Sequence, residues 1–282
     1  MNAFDPRLTP ARPDLASARL RGQIEAARFV EGEPQRVAWP TVPVRATASP
    51  EASLVTETLF GETVTVFETT EEGWAWGQLD ADGYVGWLPA EALAPLRAAA
   101  THRVAALRTP VFPGPGIKAP PLLLLSLNSR LTVLDIHGRF ARTPAGFVFA
   151  GHLAPLGEHA GDFVEVAAGF LGAPYLWGGR SSLGLDCSGL VQAALTACGV
   201  ACPRDSDMQE AALGTALEPD PAAFRRGDLL FWPGHVGIVE DRGTLLHATA
   251  HAMAVVREPM ARALERIAAA SAPLRTVRRL TG

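Results

Sequence analysis

A chain of 282 residues with 48% hydrophobic content is long enough for two or three small domains, each with a core. Its 25 basic residues against 29 acidic ones give a net charge of −4, which excludes the basic excess that a nucleic-acid or anionic-membrane partner requires. No apolar run approaches membrane-spanning length, since Pro120-Pro121-Leu122-Leu123-Leu124-Leu125 is far too short, and three cysteines make no disulfide framework.

Residues 1–36 are rich in Pro and Arg and are expected to form an N-terminal arm with one helix near Leu15–Phe29. The opening Met1-Asn2-Ala3-Phe4-Asp5-Pro6 has no apolar h-region, so no secretory leader is read there. With unpaired cysteines, this gives a cytoplasmic expectation. From 37 to 98 the pattern turns to short β-type runs at Val42–Ala46, Glu62–Phe67, Trp74–Leu79 and Tyr84–Leu88. Turn signals at Ser49-Pro50, Glu71-Glu72-Gly73 and Asp80-Ala81-Asp82-Gly83 separate them, and short strands at this spacing suggest a small barrel. Residues 99–156 echo the pattern more weakly. Leu131–Leu134 reads as a strand, Arg139–Arg142 and Ala145–Val148 stand where Gly73–Trp76 and Gly83–Trp87 stood, and Pro113–Pro121 is an irregular loop.

Residues 157–282 read as α+β. Asp162–Gly172 is expected to be a helix. Leu229–Trp232, His235–Val239, Thr244–His247, Ala254–Arg257 and Arg275–Arg278 are expected to be strands of an antiparallel sheet, with a helix at Ala261–Ala270. The segment that organises the rest begins at Asp186-Cys187-Ser188-Gly189. Asp186 is a good N-cap, Leu190, Val191, Ala194, Leu195 and Cys198 recur at helical spacing, and Gly199 ends the helix. Cys187 therefore falls in the first turn, where the helix dipole and unpaired N–H groups are expected to favour the thiolate. A lone cysteine in such a helix is ordinarily just a core residue. Thiol chemistry also needs a base and a group that orients it. His235 opens a strand, with Gly237 leaving room beside it for the helix start or a substrate. His247 follows 12 residues on, past a turn at Asp241-Arg242-Gly243, and so falls on the adjacent strand. His251 competes for the third role. Cys198 and Cys202 are not a CxxC pair and no Cys/His set complements them, so neither metal nor cofactor is expected.

Tyr175-x-Trp177-Gly178-Gly179, Asp186-Cys187-Ser188-Gly189-Leu190-Val191, Gly227-Asp228-Leu229, His235-Val236-Gly237-Ile238 and His247-Ala248 together resemble the NlpC/P60 cysteine peptidases, which cut peptides of the bacterial cell wall. Leu59-Phe60-Gly61-Glu62, Gly73-Trp74 and Gly83-Tyr84-x-Gly86-Trp87 resemble a bacterial SH3-type (SH3b) domain. The resemblance implies a papain-like catalytic domain, its Cys-bearing helix packed on an antiparallel sheet, preceded by two small SH3-like barrels, the second degenerate. It implies Cys187 as nucleophile, His235 as base and His247 as the orienting residue. The Cys187 N–H, at its helix start, is the natural oxyanion donor.

With Arg204-Asp205-Ser206 just past the central helix, the resemblance narrows to the γ-D-glutamyl-L-diamino-acid endopeptidases. Those release L-Ala-γ-D-Glu from murein stem peptides with a free N-terminal L-Ala. Tyr175, Asp186, Ser188, Asp205 and Ser206 are implied to line the substrate site. A free ammonium suits the Asp205 carboxylate, and the α-carboxylate of γ-linked Glu suits hydroxyl donors. Asp205 and Ser206 read equally as the cap of a helix starting at Asp207. Tyr84 and an acid, Glu57 or else Glu62, are implied to come from the first SH3b domain. The expected partner is thus a stem peptide ending in Lys or diaminopimelate after the scissile bond, with no nucleic acid and no membrane. A cell-wall amidase or acyltransferase of the same thiol superfamily, or an SH3b wall-binding protein with an idle site, remain the alternatives.

Overall fold

In the computed structural model, which describes residues 4–280, the chain divides into two compact units, one up to Leu156 and one from Gly157. Within the first, one sheet holds seven antiparallel strands. They are Glu33–Val37 (β1), Thr41–Arg45 (β2), Leu54–Leu59 (β3), Thr63–Thr69 (β4), Trp74–Leu79 (β5), Val85–Pro89 (β6) and Leu93–Pro95 (β7). Their order in the sheet is β3-β2-β6-β5-β4-β1-β7. Val42, Val44, Val64, Val66 and Leu88 are buried at every second position, as a pleated strand requires.

The helix expected near Leu15–Phe29 does not form. The segment holds two short strands, Ala16–Ser17 and Phe29–Val30, and a single 3-10 turn at Ala18–Leu20. Its N–H groups are bonded away from any helical ladder: Ala16 donates to Arg28 and Ala27 to Pro13. Gly22 has φ +81°, outside helical space. Leu15 is instead buried against Phe67 and Trp76 of the sheet. Residues 1–3 of the expected arm lie outside the described residues.

A second sheet follows, from Arg108–Phe112 (β8), Leu123–Ser126 (β9), Asp135–His137 (β10), Phe140–Thr143 (β11) and Gly146–Phe149 (β12), in the order β9-β8-β12-β11-β10. Val104, Val111, Leu125, Leu131 and Val148 form its core, and Phe60 packs against it. The strand expected over Leu131–Leu134 is confined to Arg130–Leu131, which pairs with His102–Arg103. Arg130 also donates to the Phe60 carbonyl at 2.8 Å, and its own carbonyl would lie 1.9 Å from a Cβ at Gly61, so the turn after β3 needs glycine. Glu62, in that turn, accepts from Thr58 Oγ1 and from the Leu59 N–H, each at 2.8 Å. Its carboxylate closes the turn.

The second unit places helices around one six-stranded sheet. The helices are Phe163–Ala168 (α1), Cys187–Ala197 (α2), Ser206–Ala212 (α3) and Met260–Ala270 (α4). The first is shorter than the sequence implies; Asp162 caps it by accepting from the Val164 N–H at 2.8 Å, and Gly172 at φ +80° lies beyond it. The strands are Thr215–Leu217 (β13), Asp228–Trp232 (β14), His235–Asp241 (β15), Thr244–Thr249 (β16), Ala254–Pro259 (β17) and Thr276–Arg279 (β18), in the order β13-β18-β14-β15-β16-β17, all antiparallel. One face buries Leu230, Trp232, Val239 and Leu245 against Met260, Ala263 and Ile267 of α4. Helix α2 packs against β15 and β16. Ten of its eleven residues are buried, so it is a central helix rather than an amphipathic surface one.

Candidate active site

Asp186 has extended backbone angles and caps α2, accepting from the Gly189 N–H at 2.7 Å. This sets Cys187 at the first helical position. The next glycine is demanded by space: a Cβ at Gly189 would lie 2.1 Å from the Gly179 carbonyl oxygen. Below the cap lies a buried Arg204, 1% exposed. It donates to Asp186 Oδ1 at 2.9 Å, Asp186 Oδ2 at 2.7 Å and Ser188 Oγ at 2.9 Å. Asp186 Oδ2 also accepts from the Gly178 N–H at 2.8 Å, and Ser188 donates to Asp186 Oδ1 at 3.2 Å. Gln209 of α3, fully buried, donates to the Ser188 carbonyl at 2.9 Å.

These bonds engage the side chains of Asp186 and Ser188, two of the residues implied to line the substrate site. Both are nearly buried and their polar atoms face Arg204 and the helix start, so they position the nucleophile. Arg204 is the residue the sequence reading passed over. Its signal was weak: an Arg in a loop reads as solvated until the fold buries it.

The Cys187 sulfur is almost fully enclosed, with the backbone N–H groups of Val236 and Ser188 directed at it. Burial first, and then the Asp186 charge, push its thiol up to about 12. Burial thus opposes the thiolate that the helix start is expected to favour. Desolvation outweighs the two N–H bonds here. Tyr175 is half-buried beside it and is raised to about 12 by burial and then by the Cys187 and Asp186 charges.

His235 begins β15, one residue before the Val236 N–H that faces the sulfur. The register Ile238↔Leu246 and Leu245↔Glu258 puts His235, His247 and Glu258 on one face of the sheet. His235 Nε2 lies 2.9 Å from His247 Nδ1. His247 Nε2 lies 3.1 Å from Glu258 Oε2, and Glu258 accepts from Arg266 of α4 at 2.6 and 2.9 Å. Burial first, then the neighbouring charges of His247 and Arg266, lower His235 to about 3. Burial, Arg266 and His251 lower His247 to about 4, against the opposing pull of Glu258. Both imidazoles are neutral near pH 7. His251 is exposed, its backbone N–H bonded to Thr249 Oγ1, and the partner of His235 is His247. The room made by Gly237 is filled by Leu245, which a Cβ would meet at 2.8 Å; it serves the core, not the helix start or a substrate. The sequence pattern does not mark Glu258 or Arg266; the strand expected to end at Arg257 runs on to Pro259 and so carries Glu258.

Asp205 and Ser206 stand at the start of α3, both half-buried, Asp205 at the N-cap position without a side-chain bond to the helix. Tyr84 and Glu57 belong to the N-terminal unit, where they are 5% and 6% exposed. The arrangement of thiol, imidazole, second imidazole and carboxylate suits nucleophilic attack on an acyl carbon, with general-base help.

A family model described as the NlpC/P60 family matches residues 172–266, and one described as the bacterial dipeptidyl-peptidase Sh3 domain matches residues 44–93. The chain is 32% identical over 224 residues, 68% of its length and 71% of the other, to a γ-D-glutamyl-L-lysine dipeptidyl-peptidase of Bacillus subtilis (strain 168). It is 38% identical over 94 residues to dipeptidyl-peptidase 6 of Lysinibacillus sphaericus, a match spanning 33% of this chain and 34% of that protein. Peptidoglycan endopeptidase RipB of Mycobacterium tuberculosis is 36% identical over 117 residues, 36% of this chain and 47% of that one. Among solved structures, an NlpC/P60 family protein from Bacillus cereus ATCC 10987 superimposes with a TM-score of 0.74 at 20% identity, covering 89% of this chain and 100% of that one, a likeness of fold.

Proposed function

The chain belongs to the NlpC/P60 family of cysteine peptidases, and from that premise we propose that it hydrolyses the γ-D-glutamyl bond to the diamino acid in murein stem peptides that carry a free N-terminal L-Ala. The observation that carries the reading is the Cys187, His235 and His247 constellation, with its two imidazoles in hydrogen-bond contact at 2.9 Å. A relative named for γ-D-glutamyl-L-lysine supports the choice of bond.

The reaction follows from the groups. The neutral thiol of Cys187 gives its proton to His235 as its sulfur attacks the γ-carbonyl carbon of D-Glu. The Cys187 N–H is the donor to the oxyanion that forms. The tetrahedral intermediate collapses to a thioester as the imidazolium of His235 protonates the leaving amine of the diamino acid. Water, deprotonated by the same imidazole, then releases L-Ala-γ-D-Glu and restores the thiol. An imidazole that is neutral at rest is the right state for the first step. The Asp205 carboxylate is the group we assign to the substrate ammonium, with Ser206 and Tyr175 as further substrate contacts. The substrates are peptides already freed from the glycan, which suits a cytoplasmic recycling role.

The test is kcat/KM for L-Ala-γ-D-Glu-L-Lys and its N-acetylated form side by side on the full chain. Acetylation removes the charge that Asp205 would meet, and a loss of roughly 10²-fold is expected. Equal values would return the protein to the general class of wall endopeptidases. Cleavage of neither, with acyl transfer instead, would favour the amidase or acyltransferase alternative.

A further inference from the structure

Hydrogen-bond direction along the chain of groups behind Cys187 is fixed from its far end. Arg266 has only donors, and it holds both oxygens of Glu258. The same bonds keep Glu258 ionised, well below the usual carboxylate range. An ionised carboxylate only accepts, so the proton between Glu258 Oε2 and His247 Nε2, 3.1 Å apart, belongs to the histidine. A neutral His247 protonated at Nε2 has a bare lone pair at Nδ1. That nitrogen lies 2.9 Å from His235 Nε2, which must then be the donor. His235 is left with an unprotonated Nδ1, the nitrogen not engaged by His247. The opposite tautomer of either ring would point an N–H toward the thiol, where a base is needed.

We propose that Glu258 is a positioning residue of the catalytic centre, whose carboxylate, held by Arg266, sets both histidines in the one tautomer that leaves His235 Nδ1 free to take the Cys187 proton. It touches neither substrate nor thiol and acts through two imidazole rings. Glu258 lies on the same sheet face as His247, two residues beyond the residue paired with it, and Arg266 reaches it from α4. Its side chain is 17% exposed, so bulk water competes weakly for the His247 proton. The inference rests on the thiol reading above but not on the identity of the peptide.

The experiment is a double-mutant cycle on the full chain, read by peptide turnover and, separately, by the rate at which iodoacetamide alkylates Cys187. Glu258→Ala should lower kcat and slow alkylation by roughly 10–100-fold, with KM within about twofold, as losses of such supporting partners do. In a His247→Asn background the amide oxygen accepts from His235 Nε2 whatever stands at 258. There the same substitution should cost less than about threefold, because the tautomer is already set. Glu258→Leu keeps most of the side-chain volume without an acceptor and reads the same cycle should the alanine variant fold poorly. An equal cost in both backgrounds, or alkylation indifferent to Glu258, would overturn the proposal in favour of a purely structural ion pair. Alkylation involves no peptide. A protein that does not cut the γ-D-glutamyl substrate but shows Glu258-dependent alkylation keeps this inference and loses the substrate. Turnover with Glu258-independent alkylation does the reverse.

Discussion

Replacing Arg204 by methionine removes the cation at the centre of the α2 cap while keeping most of the aliphatic volume. The guanidinium is 1% exposed and makes three bonds of 2.7–2.9 Å to Asp186 and Ser188, with a fourth to the Gly179 carbonyl at 3.3 Å. Breaking a buried ion pair from one side costs about 3–5 kcal/mol, because the remaining charge is left without its partner. Asp186 retains the N–H groups of Gly178 and Gly189, at 2.8 and 2.7 Å, which puts the expected loss near the lower end, about 3 kcal/mol. For a unit of this size that is a fall in Tm of about 10 °C. Calorimetry on the full chain, following the transition of the catalytic unit, reads it. Adding Asp186→Asn should recover part of the loss, since no unpaired charge then remains. Catalysis is expected to suffer separately. Arg204 lowers the pKa of the Cys187 thiol and Asp186 raises it, so the methionine variant should be alkylated at Cys187 more slowly. A loss below about 1 kcal/mol, or a double variant worse than the sum of the singles, would refute this account of the cap.

Cys187→Ala should abolish turnover with the fold retained, while a chelator leaves the wild-type rate unchanged; residual activity in the variant would sink the thiol mechanism. Gly189→Ala should destabilise by about 1–3 kcal/mol and reduce kcat, because the new Cβ meets the Gly179 carbonyl oxygen at 2.1 Å and displaces the helix start; a wild-type melting curve would show that the contact relaxes freely. Acid stability follows from the two histidines. Their folded values, about 3 and about 4, lie below the ordinary 6.5, so below that pH the unfolded chain takes up protons that the folded chain refuses. Stability of the catalytic unit should fall as pH drops through 6.5 toward 4, and His247→Asn should flatten part of that slope, as Tm measured across the interval will show; a flat Tm in the wild type would mean the imidazoles are not desolvated. For the same reason the acid limb of kcat/KM should lie below the ordinary histidine range, at about pH 5 or lower.

Local patterning determined much of this protein. Trp74–Leu79 is a strand over the same residues as its short β-type run, and Asp186 caps α2 because a short carboxylate before an apolar run can reach the free N–H groups of the first turn. The N-terminal segment forms no helix because Leu15 is buried against Phe67 and Trp76, which lie far along the chain. The Cys-Ser-Gly, His-x-Gly and His-Ala blocks pick out Cys187, His235 and His247 by residue type and order. What each group does was decided by neighbours distant in sequence. Asp186 and Ser188 meet Arg204 only once the chain is folded. Cys187 reads as a thiolate until the unit closes around it. Glu258 is unremarked in the sequence until the pairing of β16 with β17 sets it behind His247. Spacing along the chain encodes bonds made within a turn of helix or along a strand. Burial, and with it the protonation state of a thiol or an imidazole, depends on which surfaces lose water when the sheet and helices pack, and that is set only by the tertiary structure.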